Sequence, residues 1–151
     1  MSTAAPEPVS APLPDGRLIM DGFARWILSA VQPLAECVPY VRRQALAVLR
    51  LWRLDDLAWA VELLATELAG NVVRHARTPF TVNMSWGGGR LRFEVTDASP
   101  LPPRPQLDEH VDATGGRGLM LVDTLATAWG VDRHAQGKTV WFELDRRETS
   151  R

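Results

Sequence analysis

The chain has 151 residues, of which 46% are hydrophobic and 23% are charged, and its formal net charge is −1. A chain of this length forms one domain and buries a core without disulfides or a structural metal. The near-zero net charge argues against a nucleic-acid-binding protein and against a polybasic membrane-binding protein. The single cysteine, Cys37, excludes an internal disulfide framework. No apolar run reaches the roughly 18 residues that a membrane span needs.

The two ends of the chain differ in composition from its middle. Residues 1–16 contain four of the eleven prolines, mixed with alanine, serine and glutamate, which predicts a flexible tail. This segment lacks the basic and apolar regions of a signal peptide, so we expect a cytoplasmic protein. The globular domain is predicted over residues 17–146, and residues 147–151 are predicted to form a C-terminal tail.

The first half of the domain shows helical periodicity. Residues 25–31 fit either a strand or a short helix, because so few residues do not define a period. Apolar residues recur at spacings of three and four over residues 38–51, which predicts an amphipathic helix. A second helix is predicted to begin with an acidic N-cap in residues 54–56, to run to about His75 and to end before Pro79. Its predicted core stripe consists of Leu57, Val61, Leu64, Leu68 and Val72.

The second half of the domain changes to the period of a strand. Residues 80–86 and 90–97 alternate apolar and polar side chains on either side of three glycines, which predicts a β-hairpin. A short helix is predicted over residues 119–126, followed by strands over 128–133 and 138–144. This order predicts an α+β fold, a two-layer sandwich with helices on one face of a mixed, mostly antiparallel sheet.

A long segment without periodicity separates the hairpin from the short helix. Residues 99–114 contain four prolines and no regular pattern of apolar side chains. Loops of this length inside compact domains commonly serve as lids or binding loops. The segment therefore predicts either a functional loop or a disordered surface insertion.

Glu67 and Asn71 are the first candidates for chemistry. They are four positions apart on the second predicted helix, so they share one face and flank the buried stripe. A carboxylate there is partly desolvated, which suits a general base or a group associated with a metal. The alternative is an ordinary glutamate at the helix edge. Gly70 lies between them at a cost of about 1 kcal/mol relative to alanine, which indicates that some group approaches the helix closely.

Further candidates lie at the end of a strand and before a helix. Asp97 ends the second hairpin strand, where an aspartate is either a turn former or a carboxylate that projects into a pocket. Residues 116–118, Gly-Arg-Gly, precede the predicted short helix and could hold a phosphate on its N-terminal N–H groups. The Gly-Lys-Thr at 137–139 is not a phosphate loop, since Asp132 stands where the pattern needs glycine and a strand follows.

Four motifs in this order carry a resemblance to a known family. ELAGNVVRHA at 67–76 is similar to the N box, and VTDASP at 95–100 to the adenine-binding box. GGRGLMLVD at 115–123 resembles the second glycine box, and GKTVWFEL at 137–144 the closing strand. The sequence thus resembles the GHKL (histidine-kinase-like, or Bergerat-type) ATPase domains of bacterial anti-sigma-factor serine/threonine kinases, in their short actinobacterial form. The resemblance extends over about residues 38–144.

The resemblance implies roles for matching residues. Glu67 would be the general base on a protein hydroxyl, and Asn71 would coordinate Mg²⁺ that bridges the phosphates of ATP. Asp97 would accept a hydrogen bond from the adenine amino group, and Thr139 would lie near the adenine. The lid that closes on the phosphates would include Gly116, Arg117, Gly118 and Leu119. The sequence departs from the family pattern at Ser99, where a glycine usually follows the adenine-box aspartate by two positions.

The resemblance also implies a function with several alternatives. It implies an ATP-dependent protein serine/threonine kinase that phosphorylates an anti-anti-sigma (STAS-type) partner and regulates a sigma factor by partner switching. It implies a possible homodimer and no direct contact with nucleic acid or membrane. The first alternative is a non-catalytic nucleotide-binding partner-switch module. A sensor histidine kinase fits less well, because no upstream helix carries a phosphorylatable histidine. A purely structural α+β domain is the remaining alternative.

Overall fold

The computed structural model describes residues 23–99 and 118–146. Within the second range, side chains are described from residue 122 onward. The predicted tails, almost all of the segment 99–114, Gly116 and Arg117 lie outside the described residues. The strands and helices in chain order are β1 (Ala24–Val31), α1 (Cys37–Leu51), α2 (Ala58–Asn71), β2 (Phe80–Gly87), β3 (Arg90–Asp97), α3 (Gly118–Leu125), β4 (Ala128–His134) and β5 (Gly137–Asp145).

The strands form one five-stranded sheet in the order β1-β2-β3-β5-β4. All four pairings between these strands are antiparallel. The predicted α+β fold class is therefore confirmed, although the described strands include no parallel pair of the kind that a mixed sheet has. The ambiguous residues 25–31 belong to strand β1, which forms one edge of the sheet.

Alternation of side chains along each strand determines where the core lies. On β3 and β5 the residues Phe93, Val95, Val140 and Phe142 face the helices and are buried. The rings of Phe93 and Phe142 stack with their centroids 5.1 Å apart. Burying one such side chain contributes roughly 1.5–3 kcal/mol, so this pair anchors the centre of the sheet to the helical layer.

Helix α1 has the amphipathic character that its periodicity predicts. It buries Val41, Ala45, Val48 and Leu49 on one face, while Arg50 near its end is exposed. Cys37 at its first position is also buried, and this burial raises the pKa of its thiol. The single cysteine is therefore a packing residue, because a neutral buried thiol is a poor nucleophile.

The start of α2 differs from the sequence prediction. No side chain caps this end, and Asp55–Leu57 instead form a short 3₁₀ turn before the helix begins at Ala58. The predicted acidic N-cap is thus wrong, because the aspartates lie inside the turn and face outward, where Asp56 pairs with Arg146 at 3.2 Å. In the predicted core stripe of this helix, Leu57 is only partly buried. The other four residues are buried, namely Val61, Leu64, Leu68 and Val72.

The end of the second helix follows the prediction. Helix α2 stops at Asn71 and continues as one π-helical turn, Val72–Ala76, after which Arg77 takes a left-handed conformation with φ of 53°. Strand β2 then starts directly after Pro79. In the predicted hairpin, Gly88 and Gly89 have positive φ values of 60° and 75°, as a tight two-residue turn between twisted strands requires.

Candidate functional site

Asp97 lies at the carboxyl end of β3 on the face of the sheet that the helices cover. Its directly opposed partner in the β3–β5 ladder is Lys138. The Lys138 ammonium lies 3.1 Å from one carboxylate oxygen of Asp97 and donates to the other at 3.3 Å, and the two side chains are only 8% and 2% exposed. Asp97 Oδ1 also accepts the backbone N–H of Ser99 at 2.8 Å. Asp97 therefore closes a local turn through its side chain and also presents a buried carboxylate as a hydrogen-bond acceptor.

A small cavity separates this end of the sheet from the end of α2. Its wall on the sheet side includes Val95, Asp97, Lys138 and Val140. Its wall on the helix side consists of Leu68, Asn71, Val72 and His75. The fold therefore brings together two predicted site residues, Asp97 and Asn71, that are 26 positions apart in the chain. The π-helical turn after Asn71 contributes two of the four residues on the helix wall.

Glu67 and Asn71 lie on the same helix face, as their spacing predicts. The side chain of Glu67 is 23% exposed, so the expected partly buried carboxylate is present. Arg74 donates from Nη2 to Asn71 Oδ1 at 3.0 Å, and the same nitrogen is 3.9 Å from Glu67 Oε2. One guanidinium thus connects the candidate base to the candidate metal ligand.

The guanidinium of Arg74 is the group that approaches Gly70 most closely. A Cβ on Gly70 would lie 3.0 Å from Arg74 Nη1, tighter than ordinary van der Waals contact. The guanidinium therefore lies across the bare backbone of Gly70. Sequence reasoning missed Arg74, although a cation three positions after Asn71 is expected to share its helix face.

Thr139 is placed differently from the other candidates. It pairs with Thr96 on β3, and the two hydroxyls are hydrogen-bonded at 2.8 Å. His134 Nε2 is hydrogen-bonded to the same Thr139 hydroxyl at 2.8 Å. Because side chains alternate along a strand, Thr139 projects from the outer face of the sheet and Asp97 from the inner face. The structure therefore brings Lys138, and not the side chain of Thr139, next to Asp97.

The glycine motif is described only in part. Helix α3 begins at Gly118, and Leu119 lies in its first turn, so a helix does start where the motif predicts it. This helix contacts α2, the helix that carries Glu67 and Asn71. The N-terminus of such a helix offers unpaired backbone N–H groups that can bind an anion.

The residues present are compatible with Mg²⁺ bound together with a nucleotide. Within residues 23–99 and 118–146, no three histidine, cysteine, aspartate or glutamate residues cluster as a metal site. Mg²⁺ in nucleotide sites commonly takes one or two protein oxygens and completes its shell with phosphate oxygens and water. Asn71 Oδ1 accepts one hydrogen bond from Arg74 and retains a second lone pair for such a role.

Comparison with known proteins adds an independent finding. The family model described as the histidine kinase-like ATPase domain matches residues 31–144, which is most of the chain. The matched range contains all eight site residues that the sequence analysis names. No curated protein matches the chain. None of the helices that the structure describes is long and apolar enough to cross a membrane.

Proposed function

Because the chain belongs to the histidine kinase-like ATPase family, we propose that it binds ATP with Mg²⁺ and transfers the terminal phosphoryl group to a hydroxyl of a protein partner. The observation that carries this proposal is the shared cavity of Asp97 and Asn71, with the carboxylate of Glu67 one helical turn from Asn71. We assign base recognition to Asp97, phosphate binding to Asn71 and proton transfer to Glu67.

Asp97 would recognise the base. A buried carboxylate accepts hydrogen bonds and donates none, so it favours the amino group of adenine over the carbonyl oxygen that guanine has at the same position. Ser99 and Lys138 hold the carboxylate in place from two sides. This restraint means that little orientational freedom is lost when a base binds.

Asn71 and Arg74 would act at the phosphates. Bound Mg²⁺ would neutralise negative charge on the phosphate oxygens and align the terminal phosphoryl group. Asn71 would supply an oxygen ligand, and the neighbouring guanidinium of Arg74 would supply positive charge on the same helix face. The lid residues Gly116, Arg117, Gly118 and Leu119 would close over the phosphates with backbone N–H groups.

Glu67 would act as the general base. Its carboxylate would take the proton of the partner's hydroxyl as that oxygen bonds to the terminal phosphorus, while the bond to the bridging oxygen breaks and ADP leaves. The partial exposure of Glu67 leaves it accessible to a hydroxyl that arrives on another protein.

The proposed partners follow from the resemblance of the four motifs to anti-sigma-factor kinases. The phosphoacceptor would be a STAS-type anti-anti-sigma protein, and the unphosphorylated partner would compete with a sigma factor for the kinase. Such partners imply a cytoplasmic location, and related kinases suggest a homodimer.

The test is Glu67→Gln, which keeps the shape of the side chain and removes its ability to accept a proton. General-base catalysis is worth roughly 10²–10⁴-fold, so labelling of candidate anti-anti-sigma proteins with ³²P-ATP should fall by about that factor. ATP affinity, measured by calorimetry on the same preparation, should change little. The matched control is Glu62→Gln, because Glu62 is an exposed glutamate on the same helix.

Three outcomes would contradict parts of the proposal. Wild-type protein that binds no ATP removes the nucleotide site itself. Wild-type protein that binds ATP and labels none of the candidate partners favours the non-catalytic switch. Undiminished labelling by Glu67→Gln removes the assignment of Glu67 as the base.

A further inference from the structure

Lys138 is a buried cation that the proposed mechanism does not use. Its side chain is 8% exposed, and lysines are almost never buried unless they are paired. Pairing with Asp97 does not by itself account for the lysine, because buried ion pairs are often no more stable than apolar residues of similar size. The pair also lines the cavity that would receive the base.

Lys138 and Asp97 have more hydrogen-bond donors and acceptors than they use in pairing with each other. An ammonium group has three N–H donors, and Lys138 directs its contacts at the two oxygens of Asp97, at 3.1 and 3.3 Å. A carboxylate has about four acceptor positions, of which Ser99 and Lys138 occupy some. A ligand in the cavity therefore meets an acceptor and a donor side by side.

This arrangement matches one edge of adenine. The amino group of adenine donates hydrogen bonds, and the ring nitrogens on either side of it, N1 and N7, accept them. We propose that Lys138 is a second base-reading residue, whose ammonium donates to one of these ring nitrogens while the amino group donates to Asp97. This inference rests on the proposed function and adds a specificity determinant to the same site.

The cavity that Lys138 lines is smaller than a base. The cavity measures about 20 Å³, which is room for about one water molecule and not for a purine. A purine therefore fits this cavity only when its lining side chains rearrange. Lys138 has a flexible four-carbon stem, so its ammonium can shift within the cavity and stay within reach of Asp97.

The experiment compares three nucleotides by calorimetry: ATP, 1-deaza-ATP and 7-deaza-ATP. One of the two analogues should bind wild-type protein about tenfold or more weakly than ATP, because it lacks the acceptor for a charged donor. In Lys138→Met the same analogue and ATP should bind with nearly equal affinity. A purely structural role for Lys138 would weaken all three nucleotides by one common factor. Arg133→Met, which removes an exposed cation on the neighbouring strand, should keep the wild-type discrimination.

The outcomes separate this inference from the proposed function. Wild-type protein that binds ATP and both analogues equally overturns the role of Lys138 and leaves ATP binding intact. The role of Lys138 is also overturned if an analogue binds more weakly than ATP by the same factor in wild type and in Lys138→Met. Failure of wild type to bind ATP overturns the proposed function instead. Because Lys138→Met leaves Asp97 unpaired, Lys138→Gln, which keeps a neutral donor, is measured in parallel and should retain part of the discrimination.

Discussion

The β3–β5 ladder ends in an aspartate opposite a cation at both of its ends, and the two pairs differ in almost every physical respect. Asp97 faces Lys138 at one end, and Arg90 faces Asp145 at the other. The first pair is 2% and 8% exposed, whereas the second is 43% and 46% exposed. Residues 90 and 97 are an odd number of positions apart, so their side chains lie on opposite faces of the sheet.

The comparison shows that burial, and not charge pairing, distinguishes a candidate site from surface structure. Arg90 donates to Asp145 and Glu143 in an exposed network, and its hydrogen bonds lower the pKa of the Asp145 carboxyl. Such surface pairs contribute little to stability. Burying the pair of Asp97 and Lys138 carries a large desolvation cost, and the pair lines a cavity, so it is the stronger indication of function.

The largest expected effect is that of Asp97→Ala, which breaks the buried pair from one side. Lys138 is then left as an uncompensated buried charge, which should lower the free energy of unfolding by about 3–5 kcal/mol. ATP binding should be lost as well. Urea unfolding and calorimetry measure the two effects. A loss of stability below about 1 kcal/mol would show that the pair is not effectively desolvated.

A double variant sharpens this result by separating stability from binding. Asp97→Leu combined with Lys138→Met removes both charges and keeps the volume apolar, so most of the lost stability should return. ATP binding should stay absent, because no acceptor for the base remains. Recovery of ATP binding in this variant would contradict the role of Asp97 in base recognition.

Two glycines with positive φ lie near opposite ends of the β3–β5 ladder and test how tightly each end packs. Gly137 begins β5 at the buried end, and Gly89 precedes β3 at the exposed end. Gly137 has φ of 146°, and a Cβ there would overlap the backbone oxygen of Asp97. Gly137→Ala should therefore destabilise the protein by about 2 kcal/mol or more. Gly89→Ala, at φ of 75° with open space around it, should cost only about 1 kcal/mol. Equal unfolding midpoints for the two variants would argue against tight packing at the buried end.

The smallest expected effect is at the exposed pair. Asp145 has a lowered pKa in the folded protein because Arg90 hydrogen-bonds to its charged form. Its stabilising contribution is therefore present above the ordinary aspartate pKa and is lost as the pH falls through the lowered value. The difference in urea midpoint between wild type and Asp145→Asn should be small at neutral pH, and should shrink in acid and in high salt. A difference that grows in acid would contradict this assignment.

Local patterns predicted most of the secondary structure because short-range physics determines it. The periodicity of α1, the three glycines of the hairpin and the proline after the π-helical turn each act within a few residues. The prediction of an acidic N-cap for α2 was wrong because it depended on the exact residue at which the helix begins. A cap depends on which residue first adopts α-helical dihedrals, and here the 3₁₀ turn Asp55–Leu57 comes before the α-helix, which begins at Ala58.

The sequence by itself determined the candidates that helix spacing or an unusual motif marks, namely Glu67, Asn71 and Asp97. Only the tertiary structure decided which other side chains join them. The register of β3 against β5 places Lys138 beside Asp97 and turns Thr139 to the other face, and the guanidinium of Arg74 contacts both Glu67 and Asn71. The physical reason is that strand register and close approach depend on contacts between residues far apart in the chain. A shift of one residue in that register would exchange the faces of Lys138 and Thr139 with no change in the sequence.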